Sequence, residues 1–195
     1  MIMKRVFDIV FSFFGLLILS PVFIILSFAV GFTSKGSVFY RQKRVGRYNK
    51  DFTLYKYRSM YVGADRGSLI TIGGHDGRIT GVGYFMRKFK LDELPQLFNV
   101  FIGDMSFVGP RPEVRYYVDM YSKEQMRVLD VRPGITDPAS IAYRNENELL
   151  EKQSNPEKYY IDVIMPDKLR INLEYINSRT FFSDIKVIFR TISVL

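Results

Sequence analysis

The densest chemistry in this sequence lies in residues 87–112. Two adjacent carboxylates, Asp92 and Glu93, sit among cations: Arg87, Lys88 and Lys90 before them and Arg111 after. Leu91, Leu94, Leu97 and Phe98 recur at helical spacing, which predicts a buried helix face. Pro95 suits a first helical turn, where a missing N–H has no intrahelical partner to lose. Asp92 and Glu93 are therefore expected at or just before a helix N-terminus, where the dipole favours anions. Neighbouring side chains on a helix point about 100° apart, so the two carboxylates have different tasks. In one reading, one attacks an electrophile and the other holds a metal. In the other, Asp92 is an N-cap and Glu93 a first-turn acid. Downstream, Gly109-Pro110-Arg111-Pro112 is a rigid turn, because proline fixes φ on both sides of Arg111. A preorganised arginine suits two-pronged phosphate binding, and Arg87 could serve the same phosphates. The alternative is that Arg87 and Arg111 only neutralise Asp92, Glu93 or Asp104. Both roles are compatible, since a neighbouring cation keeps a carboxylate ionised.

Composition narrows the chemistry. The chain has 195 residues, enough for one domain with a real core. With 28 basic and 20 acidic residues it carries a formal charge of +8, which suits nucleic acid, an anionic membrane or phosphorylated substrates. There is no cysteine, hence no disulfide and no thiolate metal site. The single histidine, His75, excludes a multi-histidine zinc site. Carboxylates and oxygen-loving metals remain.

The elements that must hold these groups begin with an apolar N-terminus. Residues 9–32 carry no charge and are mostly Phe, Leu, Ile and Val. One straight helix of that length would run about 36 Å, enough to cross a ~30 Å hydrocarbon core. The apolar stretch is too long for a tidy signal peptide. Ser20-Pro21 near its middle predicts a kink or break, with Ser20 bonding back to the previous turn. Both flanks are basic, with Lys4 and Arg5 before and Lys35, Arg41, Lys43 and Arg44 after, which pulls both ends to the cytoplasm. A bent helix returning to the same face and a kinked span both fit. Residues 38–41 and 52–57 read as two strands of a hairpin turning at Gly46 and Asn49. Residues 66–79, with Gly67, Gly73, Gly74 and Gly77, read as a loop without the pattern of a phosphate-binding P-loop, and His75 as a loop residue. Residues 80–90 and 113–129 are expected to be helical, the second with a break near Ser122. Residues 131–136 read as a turn. In the tail, Asp167 is expected to cap a helix carrying Leu169, Leu173 and Ile176. Phe181, Phe182, Ile185, Ile188, Phe189, Ile192 and Leu195 form an apolar stripe set against Asp184, Lys186, Arg190 and Ser193, for core packing or a membrane interface.

The order and spacing of Leu91-Asp92-Glu93-Leu94-Pro95-Gln96, Gly103-Asp104-Met105-Ser106 and Gly109-Pro110-Arg111-Pro112 resemble the bacterial sugar transferase family, and more narrowly the small monotopic phosphoglycosyl transferases. The resemblance runs to about Thr191. It implies a mostly α fold with a small β-hairpin (α+β). Residues 1–34 would form a re-entrant membrane-anchoring helix broken at Ser20-Pro21, and residues 35–195 a compact cytoplasmic catalytic domain with interfacial helices. It implies an enzyme on the cytoplasmic face of the bacterial inner membrane. That enzyme would transfer a sugar-1-phosphate from a UDP-sugar, an N-acetylated amino sugar by the weakest part of the resemblance, to polyprenyl phosphate. Asp92 would be the nucleophile and Glu93 the ligand of Mg²⁺. Lys56, in a Tyr-Lys-Tyr-Arg-Ser-Met run like the family's, Arg87, Arg111 and Arg144 would bind substrate. Asp184, Pro110 and Pro112 would support the site. A bland reading stands beside two of these: Lys56 as a solvated strand-edge cation and Arg144 as a surface charge at a helix start. Association of two copies is left open. Many relatives continue after residue 136 with a Gly-Trp-Ala-Gln-like run, where this chain has Asp137-Pro138-Ala139-Ser140 and no tryptophan. The rival class is a non-catalytic membrane scaffold or nucleic-acid binder. It needs neither the carboxylate pair nor the spaced arginines, and no nucleic-acid motif is present.

Overall fold

The apolar N-terminus forms two helices, α1 (Ile2–Ile18) and α2 (Ser20–Thr33), joined at Leu19 with a bend of 61° in the computed structural model, which describes residues 2–64 and 76–194. The break lies where proline removes the donor that would continue the first helix. Ser20 is exposed, and its expected bond back to the preceding turn is not among the hydrogen bonds of the described residues. No single described helix is long and apolar enough to cross a membrane, but the bent pair passes that test together. Burial on α1 runs inside out. Asp8 and Ser12 are its buried residues, while Phe11, Phe13, Phe14 and Leu17 are exposed.

The hairpin is longer than expected: β1 (Phe39–Val45) pairs antiparallel with β2 (Asp51–Tyr57), placing Tyr40 opposite Lys56. Its turn is made by Tyr48 and Asn49, both at φ 59°, rather than by Gly46. Tyr57 packs with Leu26 and Val30 of α2 and with Met86, so α2 is continuous with the domain core. Thr80 caps α3 (Gly81–Lys88) by accepting the Gly83 N–H. A tight 3-10 turn (Leu91–Glu93) follows, entered through Lys90 in the left-handed region at φ 55°, and then α4 (Gln96–Ile102). Neither Asp92 nor Glu93 caps α4, whose start is preceded by Pro95, so the N-cap reading of Asp92 is set aside.

Two short strands, β3 (Ser106–Val108) and β4 (Gly134–Thr136), pair in parallel. Residues 131–136, read as a turn, therefore end in a strand. The pairing requires glycine: a Cβ at Gly109 would lie 2.3 Å from the Arg132 carbonyl oxygen, and one at Gly134 would lie 2.1 Å from the Gly109 nitrogen. The long helix expected over residues 113–129 shrinks to α5 (Arg115–Val118) and a 3-10 segment (Gln125–Asp130). The break at Ser122 has a local cause. Ser122 N–H donates to the Gln125 side chain, while Gln125 N–H donates to the Ser122 hydroxyl.

Short helices α6 (Pro138–Ala142), α7 (Glu146–Glu151) and α8 (Pro156–Tyr159) lead through a π-helical turn (Tyr160–Ile164) into α9 (Met165–Ser178). Asp167 does not cap α9. It lies inside the first turn and accepts from Tyr143 and Arg170. The main core gathers Val114, Tyr117, Val128, Leu150, Ile164 and Leu169. The tail forms α10 (Phe181–Ile192), whose apolar stripe divides. Phe181 meets Phe7 edge to face, whereas Phe182, Phe189 and Ile192 are exposed. Asp184, placed on the polar side by periodicity, is buried. Leu195, and Gly67, Gly73, Gly74 and His75 of the glycine-rich loop, lie outside the described residues.

Candidate active site

β2 delivers Lys56, the 3-10 turn delivers Asp92 and Glu93, and the strand end after β3 delivers Arg111. Lys56 Nζ donates to Glu93 Oε1 at 3.0 Å. The Arg111 guanidinium grips the same carboxylate with both terminal nitrogens, one of them 3.2 Å from Oε2. Burial alone would push the Glu93 carboxyl up. The flanking Arg111 and Lys56 charges more than offset this and hold it well below the usual range. Burial pushes the Lys56 ammonium down, and Glu93 pulls it partly back.

Asp92 is different. It is 7% exposed, yet it makes no hydrogen bond or ion pair among the described residues. Burial raises its pKa and the Glu93 charge adds to this, while Lys56, Arg87 and Lys90 pull it back. The adjacent pair is thus split into one carboxylate locked by two cations and one left unengaged. Arg87, on α3, lies close enough for its charge to act on Asp92, and no ion pair occupies it among the described residues. Arg144 is exposed just beyond α6, and no hydrogen bond or ion pair joins it to this group. Asp184 is also remote in bonding terms. It pairs with Lys4 and accepts from Tyr175, and Lys4 donates to the Val108 carbonyl at 2.7 Å, so Asp184 is tied through Lys4 to β3.

Several residues that hold the site are not assigned to it from sequence, where Arg5 and Arg44 read only as basic flanks of the apolar stretch. Asn99 on α4 accepts from Tyr55 N–H and donates to the Thr53 carbonyl, satisfying the free edge of β2 beside Lys56. Asp8 of α1 accepts from Ser106 Oγ and Phe107 N–H, each at 3.1 Å. Arg5 donates to the Val100 and Phe101 carbonyls near the end of α4. Arg44 of β1 donates to the Pro112 carbonyl at 2.9 Å. Gln96 is 2% exposed and leaves its side-chain nitrogen unpartnered. Of these, Asp8 had a sequence signal: a charge set inside an apolar helix needs a buried partner.

Among the described residues there is no cluster of three metal-ligating side chains. A hard cation held by one carboxylate plus substrate phosphates, the usual habit of Mg²⁺, nevertheless fits the donor set at Glu93. It would require Arg111 or Lys56 to give up part of that carboxylate.

The whole chain, residues 1–195, matches the family model described as bacterial sugar transferase. It is 38% identical over 98% of its length to a UDP-glucose:undecaprenyl-phosphate glucose-1-phosphate transferase of Klebsiella pneumoniae, spanning 40% of that protein. It is 37% identical over 98% of its length to the uncharacterized sugar transferase EpsL of Bacillus subtilis, spanning 86% of it. A UDP-N-acetylgalactosamine-undecaprenyl-phosphate N-acetylgalactosaminephosphotransferase of Aeromonas hydrophila is 34% identical over 98% of the chain, which spans 43% of that protein.

Proposed function

Since the chain belongs to the bacterial sugar transferase family, we propose that it transfers a sugar-1-phosphate from a UDP-sugar to polyprenyl phosphate at the cytoplasmic face of a membrane, through a covalent intermediate on Asp92. The observation that carries this is the asymmetry of the carboxylates: Glu93 is doubly paired, while Asp92 is nearly buried without a partner among the described residues. An unengaged carboxylate is free to attack. One clamped by two cations is not, but it organises those cations around its neighbour.

In the first half-reaction an Asp92 oxygen bonds to the phosphorus that bears the sugar. The bond from that phosphorus to the bridging oxygen breaks, and UMP leaves with that oxygen. In the second, an oxygen of the lipid phosphate attacks the same phosphorus, and Asp92 is released. Arg111, preorganised between two prolines, and Arg87, without an ion pair among the described residues, offset charge on the phosphoryl oxygens. Lys56 favours the ionised form of both carboxylates. Glu93 is the residue that would hold Mg²⁺, which supplies charge stabilisation to the diphosphate. The inside-out burial of α1 and the bend at Leu19 support a re-entrant anchor that leaves both ends on one side. Two of the named relatives carry UDP-glucose and UDP-N-acetylgalactosamine in their names, so both UDP-sugars belong in the assay. The test is isotope exchange between UMP and UDP-sugar with Mg²⁺ and no lipid acceptor. A covalent intermediate lets the first half-reaction run backward alone. Neither exchange nor UMP release with lipid present, across a broad donor panel, would favour a non-catalytic membrane scaffold.

A further inference from the structure

Pro110-Arg111-Pro112 contains a single backbone N–H, that of Arg111, because proline has none. That N–H donates to Asp137 Oδ2 at 3.0 Å. Asp137 is fully buried, and its other bonds come from Ser140: N–H to Oδ1 at 2.8 Å and Oγ to Oδ2 at 2.9 Å. Among the described residues no cation forms an ion pair with it. A buried carboxylate without a counter-ion is costly unless hydrogen bonds meet it. Here it is met by the α6 cap on one side and by the site arginine on the other. The surrounding backbone is tied in the same sense: Gly109 N–H to Thr136 O and Gly134 N–H to Pro110 O, both at 3.0 Å, and the Arg111 side chain to Ile135 O at 3.5 Å. Residues 109–111 are thus fixed, one after another, by residues 134–137. Asp137 is also the first residue at which the chain departs from the pattern it otherwise resembles.

We propose that Asp137 is a positioning residue. By holding the only backbone donor of the Pro-Arg-Pro turn, it fixes Arg111 between two φ-locked prolines so that its guanidinium spans Glu93 and the phosphoryl site. Capping of α6 is its second task, not its only one. The inference rests on Arg111 acting on the transferred phosphoryl group.

Asp137→Asn separates the two tasks. Its amide oxygen can still cap α6 through Ser140 N–H, but its NH₂ then faces the Arg111 N–H, donor against donor. The full chain in detergent micelles is assayed for UMP/UDP-sugar exchange and for thermal unfolding. The expected result is a kcat lowered about tenfold or more, the size of one lost charge-assisted hydrogen bond. Donor KM should change by less than about threefold and Tm by only a few degrees. Ser140→Ala, which leaves the Arg111 bond in place, should stay within about threefold of wild-type kcat. Asp137→Ala, with no acceptor at all, should match or exceed the Asn loss. A kcat near wild type in Asp137→Asn overturns the proposal. So does a kcat that merely follows Tm across the three variants. If neither Asp137 variant folds, the residue is structural and the proposal also fails. Absence of both exchange and transfer in the wild type is a separate result, which removes the functional reading whatever the variants do.

Discussion

Glu93 and Asp92 are sequence neighbours with opposite electrostatics. Two cations hold Glu93 ionised, whereas burial and the charge of Glu93 resist ionisation of Asp92. On the proposed mechanism Asp92 must be ionised to attack, so the acid limb of exchange should lie above the ordinary aspartate range near 3.9. The sign of each neighbour's effect can be read directly. Lys56 lowers the Asp92 pKa, so Lys56→Met should move the acid limb to higher pH. Glu93 raises it, so Glu93→Gln should slow the enzyme but move the limb to lower pH. Exchange rate against pH for the three proteins checks this; limbs that coincide, or that move the other way, contradict the assignment. The adjacent carboxylates and the nearby arginines were visible in sequence. Which acid is free and which is bound was not, because the deciding partner, Lys56, comes from a strand far away in the chain.

At the scale of elements, local pattern was readable where the local chain decides. Pro21 placed the break between α1 and α2, and Thr80 placed the start of α3. The β3–β4 pair escaped notice because each strand is three residues long and is held by two glycines in close approach, not by alternating hydrophobicity. The helix expected after Pro112 broke up because Ser122 and Gln125 satisfy each other's backbone. The bend at Leu19 carries a prediction about topology. Single cysteines at Met3 and Ser37, in a chain with no others, should both be shielded from an impermeant reagent added outside intact cells. Replacing Ser20 and Pro21 by leucine and alanine removes the break, and length then suffices to span. One of the two cysteines should then become labelled. Labelling at one end of the unaltered chain would mean a true span.

At the scale of the molecule, the apolar arm is also part of the site's scaffold. Lys4 and Asp8 hold β3, Arg5 holds the end of α4, and Tyr57 bonds back to the Phe23 carbonyl. The two blocks of candidate site residues, one before α4 and one after β3, are therefore braced by α1. A chain lacking residues 2–33 should lose exchange even in detergent with a soluble UDP-sugar and no lipid. Asp8→Ala in the full chain should lose about 1–3 kcal/mol of stability, chiefly the cost of stranding the buried Ser106 hydroxyl, with the half-buried Phe107 N–H beside it. Exchange by the truncated chain at wild-type rate would mean that the arm only anchors. These long-range ties lay beyond periodicity, which marked the N-terminus as apolar but not its buried aspartate as a brace.

The most direct test of the central claim is mass spectrometry of the enzyme quenched after mixing with UDP-sugar and Mg²⁺ but no lipid. A phosphosugar adduct is expected on Asp92, present in wild type and absent in Asp92→Asn. An adduct mapped to Glu93 would reverse the roles of the pair. No adduct and no exchange, in an enzyme that still turns over when polyprenyl phosphate is added, would mean direct transfer between the two substrates and would contradict the covalent account.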